Sequence, residues 1–207
     1  MKPLPIAVFV LCVCSAGAQV SITNSDMVGA GDSVRVSYAA STGTADYTVF
    51  GPNYLWDFSQ LAPYAQQVMR YDQPSAFPFT SMATVAHVNL SPDSIPGLGI
   101  IPSDFTDYYK GSSSSFRQVG SSFLYPQVIN FPIPVIYSSS DHIYNFPLDY
   151  PDHDTSDAAW SFNAQSFGLF YIGETIHRES AVDGWGTLIT PFGTFQCLRQ
   201  VSYVTKV

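Results

Sequence analysis

Polar and apolar residues alternate along Ser33-Val34-Arg35-Val36-Ser37-Tyr38, the period-two pattern of a strand with one buried face. Similar runs predict strands over 54–58 and 66–71. Residues 105–110 and 115–119 flank Gly111-Ser112-Ser113 and predict a hairpin. Residues 158–165 and 169–178 predict two long strands around Ser166-Phe167-Gly168. Residues 184–199 predict a strand, a Pro191-Phe192-Gly193 turn and a return strand, which 200–207 continues. A short first strand is expected at 20–23, and residues 82–90 satisfy both a strand and a short helix. Turns are expected at 27–32 and at Gly51-Pro52-Asn53, irregular chain over 91–102, and an acidic loop over 141–157. Pro126, Pro132 and Pro134 lack amide donors, which assigns 122–137 to a sheet edge or the surface.

Composition sharpens this picture. Phe, Tyr and Trp make up 15% of the chain and charged residues only 12%, so there is ample material to bury and little of what builds helices. Short turns between successive strands favour antiparallel pairing. The expected fold is all-β and mostly antiparallel, a sandwich or a strongly curved half-barrel, in a single domain with little helix.

That domain is expected over residues 19–207. Residues 1–18 read as a cleavable signal peptide: Lys2, an apolar run over 6–14, and an Ala16-Gly17-Ala18 cleavage site ahead of Gln19. The expected location is therefore secreted or in the cell envelope, with no integral membrane segment after cleavage. An acylated Cys14 is the alternative, disfavoured by Val13 immediately before it. Losing Lys2 takes the formal charge from −8 to −9. Such acidity argues against nucleic acid and against a polybasic membrane contact. Cys197 alone remains after cleavage, so no internal disulfide is expected. Oligomeric state is left open.

Four segments resemble exported bacterial β domains associated with type IX secretion. Asp183-Gly184-Trp185-Gly186-Thr187-Leu188-Ile189-Thr190-Pro191-Phe192-Gly193-Thr194-Phe195, with Leu198-Arg199, is similar to their "DGYGTL-x-x-P-x-G-x-[FY] … LR" run. Trp56-Asp57-Phe58-Ser59 with Leu61 resembles "WDFS-x-L", Ala30-Gly31-Asp32-Ser33 an "AGD[ST]" turn, and Phe146-Pro147-Leu148-Asp149-Tyr150 an "FPL-x-Y" segment. Trp185 stands where Tyr is commoner. The resemblance implies export and supplies no catalytic residues. Relatives continue into a C-terminal sorting domain, which implies truncation at Val207. Read without the family, Gly184 and Gly186 permit a bulge or sharp bend where Trp185 must turn inward.

Candidate chemistry is sparse. Asp141, His142, Asp149, Asp152, His153, Asp154 and Asp157 offer oxygen and imidazole donors, with Asp152, His153, Asp154 and Asp157 the named metal candidates for Ca²⁺ or Zn²⁺. The competing reading is a solvated turn with Asp caps, and no cofactor is required. On a strand, His177 and Glu179 share a face with Thr175 while Glu174 points the other way; an exposed charge set with Arg178 is the simplest expectation. Cys197 and His87 are expected to pack. Tyr108, Tyr109 and the aromatics of 131–137 fill the core or stack on sugars. The expected function is a secreted or cell-surface noncatalytic binding or structural module whose ligand is left open, a glycan and a hydrophobic molecule being the candidates. The alternatives are a metal-dependent secreted hydrolase using loop 141–157 and a carbohydrate-binding module.

Overall fold

Alternating sequence produces strands here almost without interruption. The computed structural model describes residues 19–43, 45–89, 103–125, 129–163, 165 and 171–207. In chain order the strands are β1 (Ser33–Ala39), β2 (Gly51–Asp57), β3 (Pro63–Asp72), β4 (Val85–Asn89), β5 (Ser103–Gly111), β6 (Ser115–Tyr125), β7 (Ile129–Asn145), β8 (His153–Asn163), β9 (Tyr171–Thr190) and β10 (Gly193–Lys206). Among the described residues the lone α-helix, α1, is four residues long (Phe79–Met82). The expected signal peptide, the irregular 91–102 segment, Pro126 and the 166–168 turn lie outside the described residues.

All ten strands join one sheet, ordered β1-β3-β4-β5-β6-β7-β8-β9-β10, with β2 placed against β9. The sheet is not closed into a barrel. From β3 to β10 every strand pairs antiparallel with its sequence neighbour. β2 is the exception. Between β1 and β3 the chain crosses to β9 and pairs with it in parallel, Gly51 opposite Gly184 and Asp57 opposite Ile189. β8 covers the same edge of β9 only as far as Ala181, so β2 continues where β8 stops.

Several local expectations change. Ile22 makes an isolated bridge to Leu148, and 24–26 is a 3-10 turn, so no first strand forms at 20–23. Gly51-Pro52-Asn53 opens β2, and its turn character survives as positive φ at Gly51 and Asn53 where the register shifts. The 82–90 ambiguity resolves into both answers, the end of α1 and then β4. Residues 171–190 form one continuous strand. Pro132 and Pro134 sit in β7, inside the strand order, yet its described pairing with β8 begins only at Tyr137. Their missing amides are therefore tolerated in a stretch paired with β6.

Two apolar clusters anchor the sheet. Phe79, fully buried, stacks on Tyr108 with ring centroids 3.9 Å apart and packs with Ala86 and Val119. Gly120 makes room for it, since a Cβ there would stand 2.6 Å from the Phe79 ring. Phe123, Ile133 and Val135 form the second cluster, against Phe105, Trp160 and Phe162. Polar groups on both faces are satisfied locally: on the face of the second cluster Ser121 Oγ and Gln118 Nε2 donate to Asp107 at 2.7 and 2.9 Å, and on the opposite face, beside Phe79, the Tyr108 and Ser122 hydroxyls share a hydrogen bond of 3.0 Å.

Candidate functional site

The long strands β8, β9 and β10 present two faces. Paired residues Ala158–Ile176 and Ser156–Arg178 point inward, and Ala158, Ile176 and Ser156 are buried. Paired residues Thr155–Glu179, Asp157–His177 and Ala159–Thr175 point outward, joined by Tyr203 and Thr205 of β10. On this outer face lies a groove of about 380 Å³ bounded by Ser139, Asp157, Thr175, His177, Thr205 and Val207. It adjoins a second groove of about 350 Å³ reaching Trp160 and Tyr171.

His177 is the ionisable centre of that face. Its Nδ1 lies 2.7 Å from Asp157 Oδ1 and its Nε2 3.3 Å from Glu179 Oε1. Two acceptors on the two ring nitrogens are both satisfied only by the imidazolium. The Asp157 hydrogen bond, followed by that to Glu179, raises the His177 pKa above its ordinary value.

The expected charge set of Glu174, His177, Glu179 and Arg178 is divided between the faces. Arg178 turns inward and donates Nε to Asp141 Oδ1 at 2.9 Å and Nη2 to Asp141 Oδ2 at 2.7 Å. Asp141 is buried, and the pair holds the Arg178 pKa up. Glu174 accepts from Trp160 Nε1 at 3.2 Å and faces Lys206 at 3.8 Å.

The acidic loop expected over 141–157 contracts to residues 146–152, because Asp141 and His142 lie within β7 and His153, Asp154 and Asp157 within β8. Asp152 caps the turn by accepting the Asp149 amide at 2.7 Å. His153 and Asp157 face outward opposite Ala181 and His177, whereas Asp154 faces inward opposite Ser180. Strand alternation thus separates the four metal candidates, and no group of three His, Cys, Asp or Glu side chains converges on a metal position among the described residues. His87 is buried, donates from Nδ1 to the Arg70 carbonyl at 2.9 Å and stacks on Tyr71. Cys197 is half-buried opposite Gly186, and burial pushes its thiol pKa up. Tyr108 belongs to the core, while Phe131 is exposed.

Two of the four segments singled out as motifs meet in space. Tyr54 and Trp56 of β2 pair with Gly186 and Leu188 of β9. A Cβ at Gly186 would fall 2.6 Å from the Tyr54 amide nitrogen and closer still to its carbonyl oxygen; one at Gly184 would fall 3.0 Å from Gly51 backbone. The glycines therefore serve the close approach of β2, and the β9–β10 register shifts directly beside Gly184, between Gly184 opposite Arg199 and Val182 opposite Gln200. Arg199 bonds Asp183 and also donates from Nε and Nη2 to the Tyr47 carbonyl at 3.3 and 3.1 Å. Trp56 is buried and donates Nε1 to the Val49 carbonyl at 2.9 Å. Asp32 closes its turn by accepting the Gly29 amide at 2.7 Å.

No protein family, curated protein or solved structure matches this chain.

Residue-pattern reasoning passed over Ser138, Ser139 and Ser156. Ser138 Oγ donates to the Ala159 carbonyl at 3.0 Å, Ser139 Oγ donates to the Asp157 carbonyl at 2.7 Å, and Ser156 Oγ accepts the His142 amide at 2.9 Å. Hydroxyls thus hold β7 to β8 where the backbone register breaks down. The run Ser138-Ser139-Ser140 just before a buried aspartate is the signal that was available.

Proposed function

We propose that this chain is an exported, noncatalytic binding domain whose recognition surface is the outer face of β8–β10, with a glycan as the ligand class. One observation carries the reading. The adjoining grooves run along small residues, Ala159, Gly173 and Thr175, between hydroxyls, the Asp157–His177–Glu179 set and the exposed ring of Tyr171. A planar ring beside hydroxyl and carboxylate acceptors offers a sugar one apolar surface and several hydrogen-bonding partners. Asp157, His177 and Glu179 are engaged with one another, which suits orientation of a ligand better than proton transfer.

Export in the manner of type IX-associated domains is the setting this reading adopts. It is supported by the interlocking of the Trp56-Asp57-Phe58-Ser59 strand with Gly184 and Gly186, which gives both motifs one structural purpose. A glycan array with the purified domain tests the ligand class: binding that is lost in Tyr171→Ala supports it, and no binding to any glycan overturns it. Mass measurement of protein recovered from the producing cell tests export, with Gln19 as the expected first residue.

A further inference from the structure

Eight lysines and arginines are set against sixteen acids in this chain, so any basic residue without a counter-charge needs a reason. Three basic residues stand side by side on consecutive strands. Lys110 of β5 lies directly opposite Arg117 of β6, and Arg117 directly opposite His142 of β7. Directly paired residues share a face, and like charges placed so repel. The other described ion pairs involve Arg178, Arg199, Lys206 and His177; neither Lys110 nor Arg117 has an acidic partner within 4.0 Å among the described residues.

The nearest register row offers no relief. One residue along, Gln118 pairs with Asp141 on the opposite face, and that carboxylate is occupied by both arms of Arg178. Arg117 Nε is moreover buried and without a hydrogen-bond partner. Leaving a buried guanidinium N–H unpaired is unfavourable, because its desolvation is not offset by a hydrogen bond. Arg117 lines a polar groove of about 380 Å³ together with Ser139, Ser140, His142, Thr155 and Asp157. The Asp157 carboxylate at its far side is bound to His177. His142 Nδ1 is held by Asn145 Oδ1 at 3.2 Å, which orients the ring. The groove forms where β7 bulges between Gly120–Ile136 and Gln118–Asp141, and bulges of this kind re-aim side chains at the surface.

We infer that this groove is an oxyanion site, in which the Arg117 guanidinium receives a carboxylate or sulfate group, Lys110 adds charge from the neighbouring strand, and Ser140 and Thr155 offer hydroxyl donors. A guanidinium fork matches such groups with two parallel hydrogen bonds. The site goes beyond the glycan surface and does not depend on it, since simple anions suffice to detect it.

Amide chemical-shift titrations of the domain with sodium glucuronate, acetate, sulfate and, as the uncharged control, glucose test the inference. Saturable shifts centred on Arg117 and 139–142 are expected with at least one of the anions and not with glucose. Comparison of glucuronate, acetate and sulfate identifies the preferred group. Arg117→Gln should weaken binding at least tenfold, and Arg117→Lys, which keeps the charge without the fork, about threefold or more. Arg70→Gln, an exposed control, should leave it unchanged. If Arg117→Gln does not fold, the Lys variant and Ser140→Ala carry the test. Absence of saturable shifts with every anion, shifts centred elsewhere, or equal binding by Arg117→Lys and Ser140→Ala overturns the site.

Discussion

Asp141 and Arg178 join β7 to β9 across the intervening strand β8. Both guanidinium contacts are short, 2.9 and 2.7 Å, and the two side chains are only 4% and 17% exposed. Between them in the sheet lies Ser156, directly paired with Arg178, whose hydroxyl accepts the His142 amide. The ion pair therefore fixes the place where β7 and β8 have lost regular backbone pairing.

Removing one partner leaves the other charge uncompensated in a largely dry site. Asp141→Ala is expected to lower unfolding stability by about 3–5 kcal/mol. The double variant Asp141→Met/Arg178→Met should recover much of that loss. Chemical denaturation of the three proteins measures it; a double variant no more stable than Asp141→Ala would show that the pair does not act as a unit.

Gly186→Ala should displace β2. The added methyl group has backbone on the other side of it, the Tyr54 amide and carbonyl, so no side chain can swing away. Overpacking of this kind costs about 1–3 kcal/mol. A red shift in Trp56 emission should accompany the lower melting temperature, because Trp56 is held 5% exposed by this docking. Gly29→Ala, whose Cβ would meet only an ordinary 3.6 Å contact with Asp32, is the matched control.

His177 should titrate above the ordinary histidine value of about 6.5. The carboxylates that bind it favour the imidazolium in the folded state. The sign follows from linkage: a folded-state pKa raised above the unfolded one contributes stability that is complete below the ordinary value and fades as pH rises through the raised one. Asp157→Asn should bring the pKa down toward the ordinary value. Imidazole resonances followed by NMR against pH report this directly, and an unchanged titration in Asp157→Asn would exclude Asp157 as the cause.

The β9–β10 hairpin was readable because alternation and a Pro-x-Gly turn are local properties. The hairpin of β5 and β6 was readable for the same reason. Residue pattern assigns Asp141 to a loop because aspartate most often serves turns; pairing with Gln118 of β6 makes it a strand residue, and Arg178, 37 residues away, supplies its counter-charge there. His177 with Glu179 was placed on one face by strand periodicity alone, whereas Asp157 joined them through the β8–β9 register.

By itself the sequence determined an all-β, antiparallel chain, since strand periodicity, aromatic content and turn residues act over a few neighbours. Tertiary structure alone decided that β2 docks in parallel on β9, that Arg178 faces inward and that Lys110, Arg117 and His142 line up. Each of those depends on which distant strands become neighbours and in what register, and a shift of one residue would send every side chain to the opposite face.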